Sequence, residues 1–279
     1  MARADPAGGF CAGAVATAPA LPDGARAGAA SSYLKALRKK RVQYRPDATL
    51  RERTPMAFRS AAARIFRACS RWTFVHEPIA PKTILIGAPH SSNWDGIYDI
   101  VAFWSYGRSM KFLVKNSLVQ APVLGAIVRA VGGISVDRNH PSGIVGSLLE
   151  QAERSEEFCV ALAPEGTRKD VQYWKSGFYR MGLAGRLPIT LGFIDSRTKT
   201  YGWWKHLYLS GDIEADMDIL REFYRDFVGR NGFKRSVPRL RAEDDAAARA
   251  HLLDGIDLDE ARAFAIRMNR ETGGVGITE

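Results

Sequence analysis

The chain has 279 residues, 46% of them hydrophobic, which is enough for one or two domains with a true core. A formal net charge of +10 implies a polyanionic partner: nucleic acid, anionic lipid or a phosphorylated substrate. Three scattered cysteines, Cys11, Cys69 and Cys159, make neither a zinc spacing nor a disulfide framework and point to a reducing compartment, and no apolar run reaches the roughly 18–20 residues of a membrane span.

Residues 1–55 read as a disordered, basic tail, rich in Ala, Gly and Pro and then in Lys and Arg (LKALRKKR). The Ala-rich stretch Phe10 to Leu21 lacks a basic n-region, so it is not read as a signal peptide. The sequence becomes organised at Met56, which leaves open whether translation starts there or at Met1. From Met56 to Trp72 the spacing predicts a helix with Phe58, Ala61, Ala62, Ile65, Cys69 and Trp72 on one face. Arg59, Arg64, Arg67 and Arg71 lie on or near the other, and no acidic residue occurs between Arg53 and Glu77. Residues 56–76 are therefore expected to form an interfacial amphipathic helix.

Buried strands are expected at Thr83 to Ala88, Lys111 to Val114, Ile134 to Val136, Phe158 to Ala163, Pro188 to Ile194 and His206 to Ser210. Helices are expected at Trp94 to Tyr106, Ser117 to Val131, Ser142 to Arg154, Gly177 to Ala184 and Met217 to Phe227. This alternation predicts an α/β domain over 56–230: a mixed, largely parallel sheet covered by helices on both faces. Residues 231–279 read as a polar extension with helices at 243–253 and 258–270. Trp203 and Trp204 are expected in an interfacial aromatic patch or a partly buried edge strand rather than in a stacking platform for nucleic acid.

Three clusters carry chemistry, each just after a predicted strand, where α/β sheets place their sites. In PHSSNWDG, an Asp95 carboxylate brought back by the loop reaches the His90 imidazole and makes it a base; otherwise Asp95 is a helix N-terminal residue and His90 a buried structural histidine. In GGISVDRN, Arg138 at a strand end suits bidentate phosphate binding or an ordinary surface ion pair. In ALAPEGTRKD, Gly166 allows a tight turn whose backbone, with the Thr167 hydroxyl and Arg168, surrounds an anion. Glu165 there holds an arginine or accepts from a substrate hydroxyl.

Together these clusters resemble the motifs of the glycerolipid acyltransferase family, which includes the bacterial 1-acylglycerol-3-phosphate acyltransferases. The first motif is His90, Ser92 and Asp95, the second ends in Arg138, the third is Glu165 to Arg168, and the fourth is an apolar strand opened by Pro188. The resemblance spans about residues 56–215. Pro89, Ala163, Lys169 and Leu191 depart from common family residues without removing a catalytic group.

The resemblance implies the family's α/β fold and His90 as a base oriented by Asp95. It implies Ser92, Arg138, Glu165, Gly166, Thr167 and Arg168 at the substrate. No metal or resident cofactor is implied; acyl-CoA or acyl carrier protein is a co-substrate and a lysophosphatidic acid-like lipid the acceptor in phospholipid biosynthesis. Other lysolipids, amino-acid lipids and glycolipids are alternative acceptors. The expected partner is an anionic membrane surface at its cytoplasmic face, with peripheral attachment and no nucleic acid. The rival from another class is a non-enzymatic basic protein that binds anionic lipid or nucleic acid. No GxGxxG, Walker, GxSxG or HExxH pattern occurs.

Overall fold

The computed structural model describes residues 53–136, 141–232 and 236–279. The expected disorder of the N-terminal tail concerns residues almost wholly outside this set.

Helix α1 (Arg53–Cys69) leads into the short strand β1 (Thr73–His76), then β2 (Lys82–Ala88), α2 (Asn93–Tyr106) and β3 (Lys111–Lys115). Next come α3 (Asn116–Gln120), α4 (Pro122–Ala130), β4 (Gly133–Val136), α5 (Pro141–Arg154), β5 (Phe158–Leu162) and α6 (Gly177–Gly185). The chain continues with β6 (Ile189–Asp195), β7 (Thr200–Leu207) and α7 (Ile213–Tyr224), and ends in α8 (Arg241–Asp244), α9 (Ala246–Leu253) and α10 (Leu258–Thr272). Seven strands form one sheet in the order β1-β7-β6-β2-β5-β3-β4. Every pairing is parallel except β6 with β7, so the expected mixed, largely parallel α/β sheet is what the chain forms.

The central strands are mostly apolar because both faces are covered, and the buried hydroxyls of Thr83 and Thr190 bond to each other at 2.7 Å. Leu85, Ala161, Ile194 and Tyr201 meet Tyr98, Ala102, Phe103 and Tyr106 of α2 on one face. On the other face Phe193 packs against Trp204 and Phe227. Trp203 and Trp204 illustrate the period of two: Trp203 joins the α2 face against Phe103, and Trp204 turns to the opposite face against Phe223. Both are almost fully buried, Trp203 at 1% exposure, and β7 is second from the edge with β1 outside it. This corrects the expectation of an interfacial patch or partly buried edge strand. Residues 73–76, expected as the end of the interfacial helix, instead form β1, which is too short to carry a pattern in the sequence and pairs with β7 on its outer side.

Strand β7 runs over Thr200–Leu207 rather than the expected His206 to Ser210, and two helical regions differ from expectation as well. The helix expected over Ser117 to Val131 is broken in two at Ala121, because the residue before Pro122 is pushed out of helical geometry and here takes φ −63°, ψ 131°. The faces of α1 are also rotated. Ala63 is fully buried and Phe66 packs on the core, while Phe58 and Ile65 are 74% and 67% exposed. Trp72, expected beside them, packs on Tyr98 with ring centroids 5.1 Å apart. Arg59 turns inward, donating to Ser109 Oγ at 2.9 Å and the Ala130 carbonyl at 3.1 Å.

Helix α7 is tied to the centre of the sheet by Tyr224, whose buried hydroxyl lies 3.0 Å from the Ile86 carbonyl and 2.9 Å from that of Gly192. Tyr224→Phe leaves both carbonyls without this donor. The expected cost is about 1–2 kcal/mol, a fall in Tm of roughly 2–8 °C for a domain of this size. Calorimetry of the variant checks it, and an unchanged Tm would show that the contact contributes nothing. The segment after residue 235 packs onto the same domain: Asn269, buried, accepts from the Tyr208 amide at 2.8 Å and donates to its carbonyl at 3.1 Å.

Candidate active site

The site lies at the C-terminal ends of the adjacent parallel strands β2 and β5, which deliver His90 and Glu165 to the same edge of the sheet. Strand β2 ends at Ala88, and α2 begins at Asn93 with Ser92 as its N-cap. The Ser92 hydroxyl accepts from the Trp94 amide at 3.3 Å. Asp95 closes the capping box, its Oδ2 accepting from the amides of Ser91 and Ser92, each at 2.7 Å. That same Oδ2 lies 3.3 Å from His90 Nδ1. Asp95 is thus both the helix N-terminal residue and the partner of the imidazole. The two readings open in the sequence coexist, because a capping box and a His–Asp contact both require the carboxylate to turn back over the loop.

Across the site the Glu165 Oε2 accepts from the His90 amide at 3.1 Å. Its other oxygen, and Oδ1 of Asp95, are buried without a hydrogen-bond partner among the described residues. The turn that places Glu165 uses Gly166 at φ 67°, with its amide donating to the Ala163 carbonyl at 3.0 Å. Thr167 Oγ1 receives the Lys169 amide at 3.4 Å, and Arg168 is exposed. Arg138 lies outside the described residues; β4, which precedes it, runs parallel to β3 and ends on the same edge of the sheet.

The electrostatics are those of one imidazole among three carboxylates. Burial pulls the His90 pKa down, but the Asp95 hydrogen bond and the charges of Asp95, Asp99 and Glu165 outweigh it, and the net shift is upward. Burial pushes the Glu165 carboxyl up to about 7, against the pull of the His90 amide and ring. Burial and the Asp95 charge likewise raise Asp99 to about 7. An imidazole whose pKa is raised by a carboxylate partner is a stronger base for proton transfer, and Nδ1 held by Asp95 leaves Nε2 for an incoming hydroxyl.

Sequence reasoning missed Asp99, one helical turn after Asp95, where only the i,i+4 spacing on α2 signals it. It also missed Gly229, Arg230 and Asn231, which follow α7 and reach the His90 loop from a distant part of the chain. Among the described residues no cluster of His, Cys, Asp and Glu is arranged to hold a metal ion.

Residues 71–190, which include His90, Asp95, Arg138 and Glu165, match the family model described as Acyltransferase. This stretch, less than half of the chain, is similar to the acyltransferase family. A crystal structure of the 1-acyl-sn-glycerophosphate (LPA) acyltransferase PlsC from Thermotoga maritima is similar at 15% identity over 56% of this chain and 71% of that one, with a TM-score of 0.39. No curated protein matches the chain. The matched stretch begins just before β1 and stops within β6, so the first three motifs and the strands that precede them fall inside it. Helix α1, β7 and the contacts from residues 229–231 fall outside it.

Proposed function

We propose that this protein is an acyltransferase that moves a fatty acyl group from acyl-CoA or an acyl carrier protein to the hydroxyl of a lysophosphatidic acid-like acceptor, at the cytoplasmic surface of an anionic membrane. The observation that carries the reading is the His90–Asp95 pair, with Glu165 beneath it, at a sheet edge inside the matched domain. His90 Nε2 takes the proton of the acceptor hydroxyl. The oxygen attacks the thioester carbonyl carbon, the C–S bond breaks, and the departing thiolate takes the proton back from the imidazolium. Asp95 keeps the proton-bearing Nδ1 oriented and offsets the imidazolium charge. Arg168 and Arg138 hold the acceptor phosphate, with Ser92, Gly166 and Thr167 beside it. General base action supplies roughly 10²–10⁴-fold, and holding the two substrates together supplies much of the rest.

Offering acyl-CoA and acyl carrier protein thioesters with a panel of lysolipid and glycolipid acceptors, and reading products by mass spectrometry, tests this. A doubly acylated glycerol phosphate is the expected product. Product on another lysolipid, an amino-acid lipid or a glycolipid alone would move the acceptor. No thioester consumed with any acceptor overturns the reading in favour of a basic binding protein. Arg168→Ala is expected to raise the acceptor KM about 10-fold or more, from the loss of a charge-assisted contact of roughly 1.5–3 kcal/mol, with the donor KM unchanged. An effect confined to the donor would reassign the pocket.

Membrane contact is supported by what α1 and α4 expose. Phe58 and Ile65 are exposed on α1 together with Arg64 and Arg67, Arg71 is exposed just after it, and Val123, Leu124 and Ile127 are exposed on α4. Arg59, bonded to the Ala130 carbonyl, holds α1 beside the end of α4. Among the described residues no helix is long and apolar enough to cross a membrane. Binding to anionic vesicles is expected to weaken as salt rises, each arginine contributing on the order of 1 kcal/mol. Arg64, Arg67 and Arg71 changed to Gln reduce it most at low salt, and Phe58→Ser with Ile65→Ser at every salt. Vesicle sedimentation decides: wild type left in the supernatant at low salt removes these helices from any membrane role.

A further inference from the structure

The acyltransferase model ends at residue 190, yet the loop bearing His90 is also held by a segment some 140 residues away. The Asn231 Nδ2 donates to the Ser91 carbonyl at 2.8 Å, and the Asn231 amide lies 3.4 Å from Ser91 Oγ. Gly229 is buried against the same residue: a Cβ built there would stand 2.7 Å from Ser91 Oγ and 2.9 Å from Ser91 Cβ. Between them Arg230 fixes the segment to α2 and β1's approach. Its guanidinium lies over the rings of Trp72, Trp94 and Tyr98 at 5.7, 5.3 and 5.5 Å, and it donates to the Tyr98 hydroxyl at 3.1 Å.

We propose that Gly229, Arg230 and Asn231 are positioning residues of the active site, a clasp from beyond α7 that sets the distance between the His90 imidazole and Asp95. The backbone logic is direct. Glu165 accepts from the amide of His90, Asp95 accepts from the amides of Ser91 and Ser92, and Asn231 donates to the carbonyl of Ser91. The three consecutive peptide groups between Pro89 and Ser92 are therefore held from three directions, and of these contacts the one from the clasp comes from outside the matched stretch. A glycine is required at 229 by this close approach, and the aromatic contacts of Arg230 are the anchor that keeps the approach in register. A loop left with two restraints would let the Nδ1–Oδ2 contact of 3.3 Å lengthen. Small displacements of this kind lower turnover more than binding.

This inference rests on the reading of His90 as the base, so its test carries a readout that needs no activity. The His90 titration is followed by NMR in the full-length protein, assigned by its absence in His90→Gln, beside steady-state kinetics with the acceptor identified above. The groups facing the ring are Asp95 and Asp99 from α2 and Glu165 from the turn after β5. Asn231→Ala is expected to lower kcat roughly 3- to 10-fold, as one hydrogen bond predicts. Its acceptor KM should stay near wild type, and the His90 midpoint should fall toward 6.5 as the Asp95 contact loosens. Gly229→Ala should lower kcat further, and adding Ser91→Gly, which removes the atoms the new Cβ meets, should restore part of it. A His90 midpoint unchanged in both Asn231→Ala and Gly229→Ala overturns the proposal, whatever happens to Tm or activity. A midpoint that moves in a protein with no detectable acyl transfer keeps the clasp and removes the reaction.

Discussion

His90→Ala is expected to lower kcat by roughly 10²–10⁴-fold, the usual worth of a positioned general base, while the circular dichroism spectrum and Tm stay close to wild type. The side chain lies in the loop after β2 and is 27% exposed, so its removal costs less packing than that of a core residue. The accompanying pH profile has a defined sign. The base works when neutral, and its pKa is raised above 6.5, so activity is lost as pH falls through a limb lying above 6.5. Glu165 and Asp99, both held up to about 7, titrate in the same range, so that limb belongs to the cluster rather than to one group. Near wild-type turnover in His90→Ala would sink the mechanism and leave a binding protein as the better reading.

Asp95 carries two jobs on one oxygen, and two substitutions separate them. Asp95→Ala removes the partner of the imidazole and also the acceptor for the Ser91 and Ser92 amides. It is expected to cost the bulk of the catalytic effect and, in addition, about 1–2 kcal/mol of stability from the lost helix cap. Asp95→Asn keeps an oxygen for the amides but removes the charge. Its Tm should stay near wild type while kcat falls by roughly 10²-fold or more, and its acid limb should move to lower pH because a charge that raised the His90 pKa is gone. Kinetics of Asp95→Asn matching wild type would reduce Asp95 to a helix cap.

The sites that short-range pattern reveals are those whose parts lie close along the chain. His90 and Asp95 are five residues apart on one strand-loop-helix unit, and Glu165 sits in a strand-turn whose Gly166 marks the tight bend. Their meeting follows from the parallel pairing of β2 with β5. Asp99 was within reach of the same reasoning, one turn further along α2. Gly229, Arg230 and Asn231 were not, because the residues after α7 carry no apolar period and their role appears only when the chain returns to Ser91.

What the amino-acid sequence determined by itself was the class of fold, the strands of the sheet's centre and the three motif clusters. Short continuous apolar runs bounded by turn residues read as strands buried on both faces, and these runs alternate with helices that cover them. Tertiary structure alone decided which side of each element faces inward. Helix α1 has apolar residues around more than one side, and α2 accepted Ala63 and Phe66, which left Phe58 and Ile65 outside. Trp203 and Trp204 read as surface aromatics until β1, four residues long, covered the strand that carries them. Such choices rest on contacts between segments far apart in the chain, where hydrophobic period gives an element's pattern but not its neighbour.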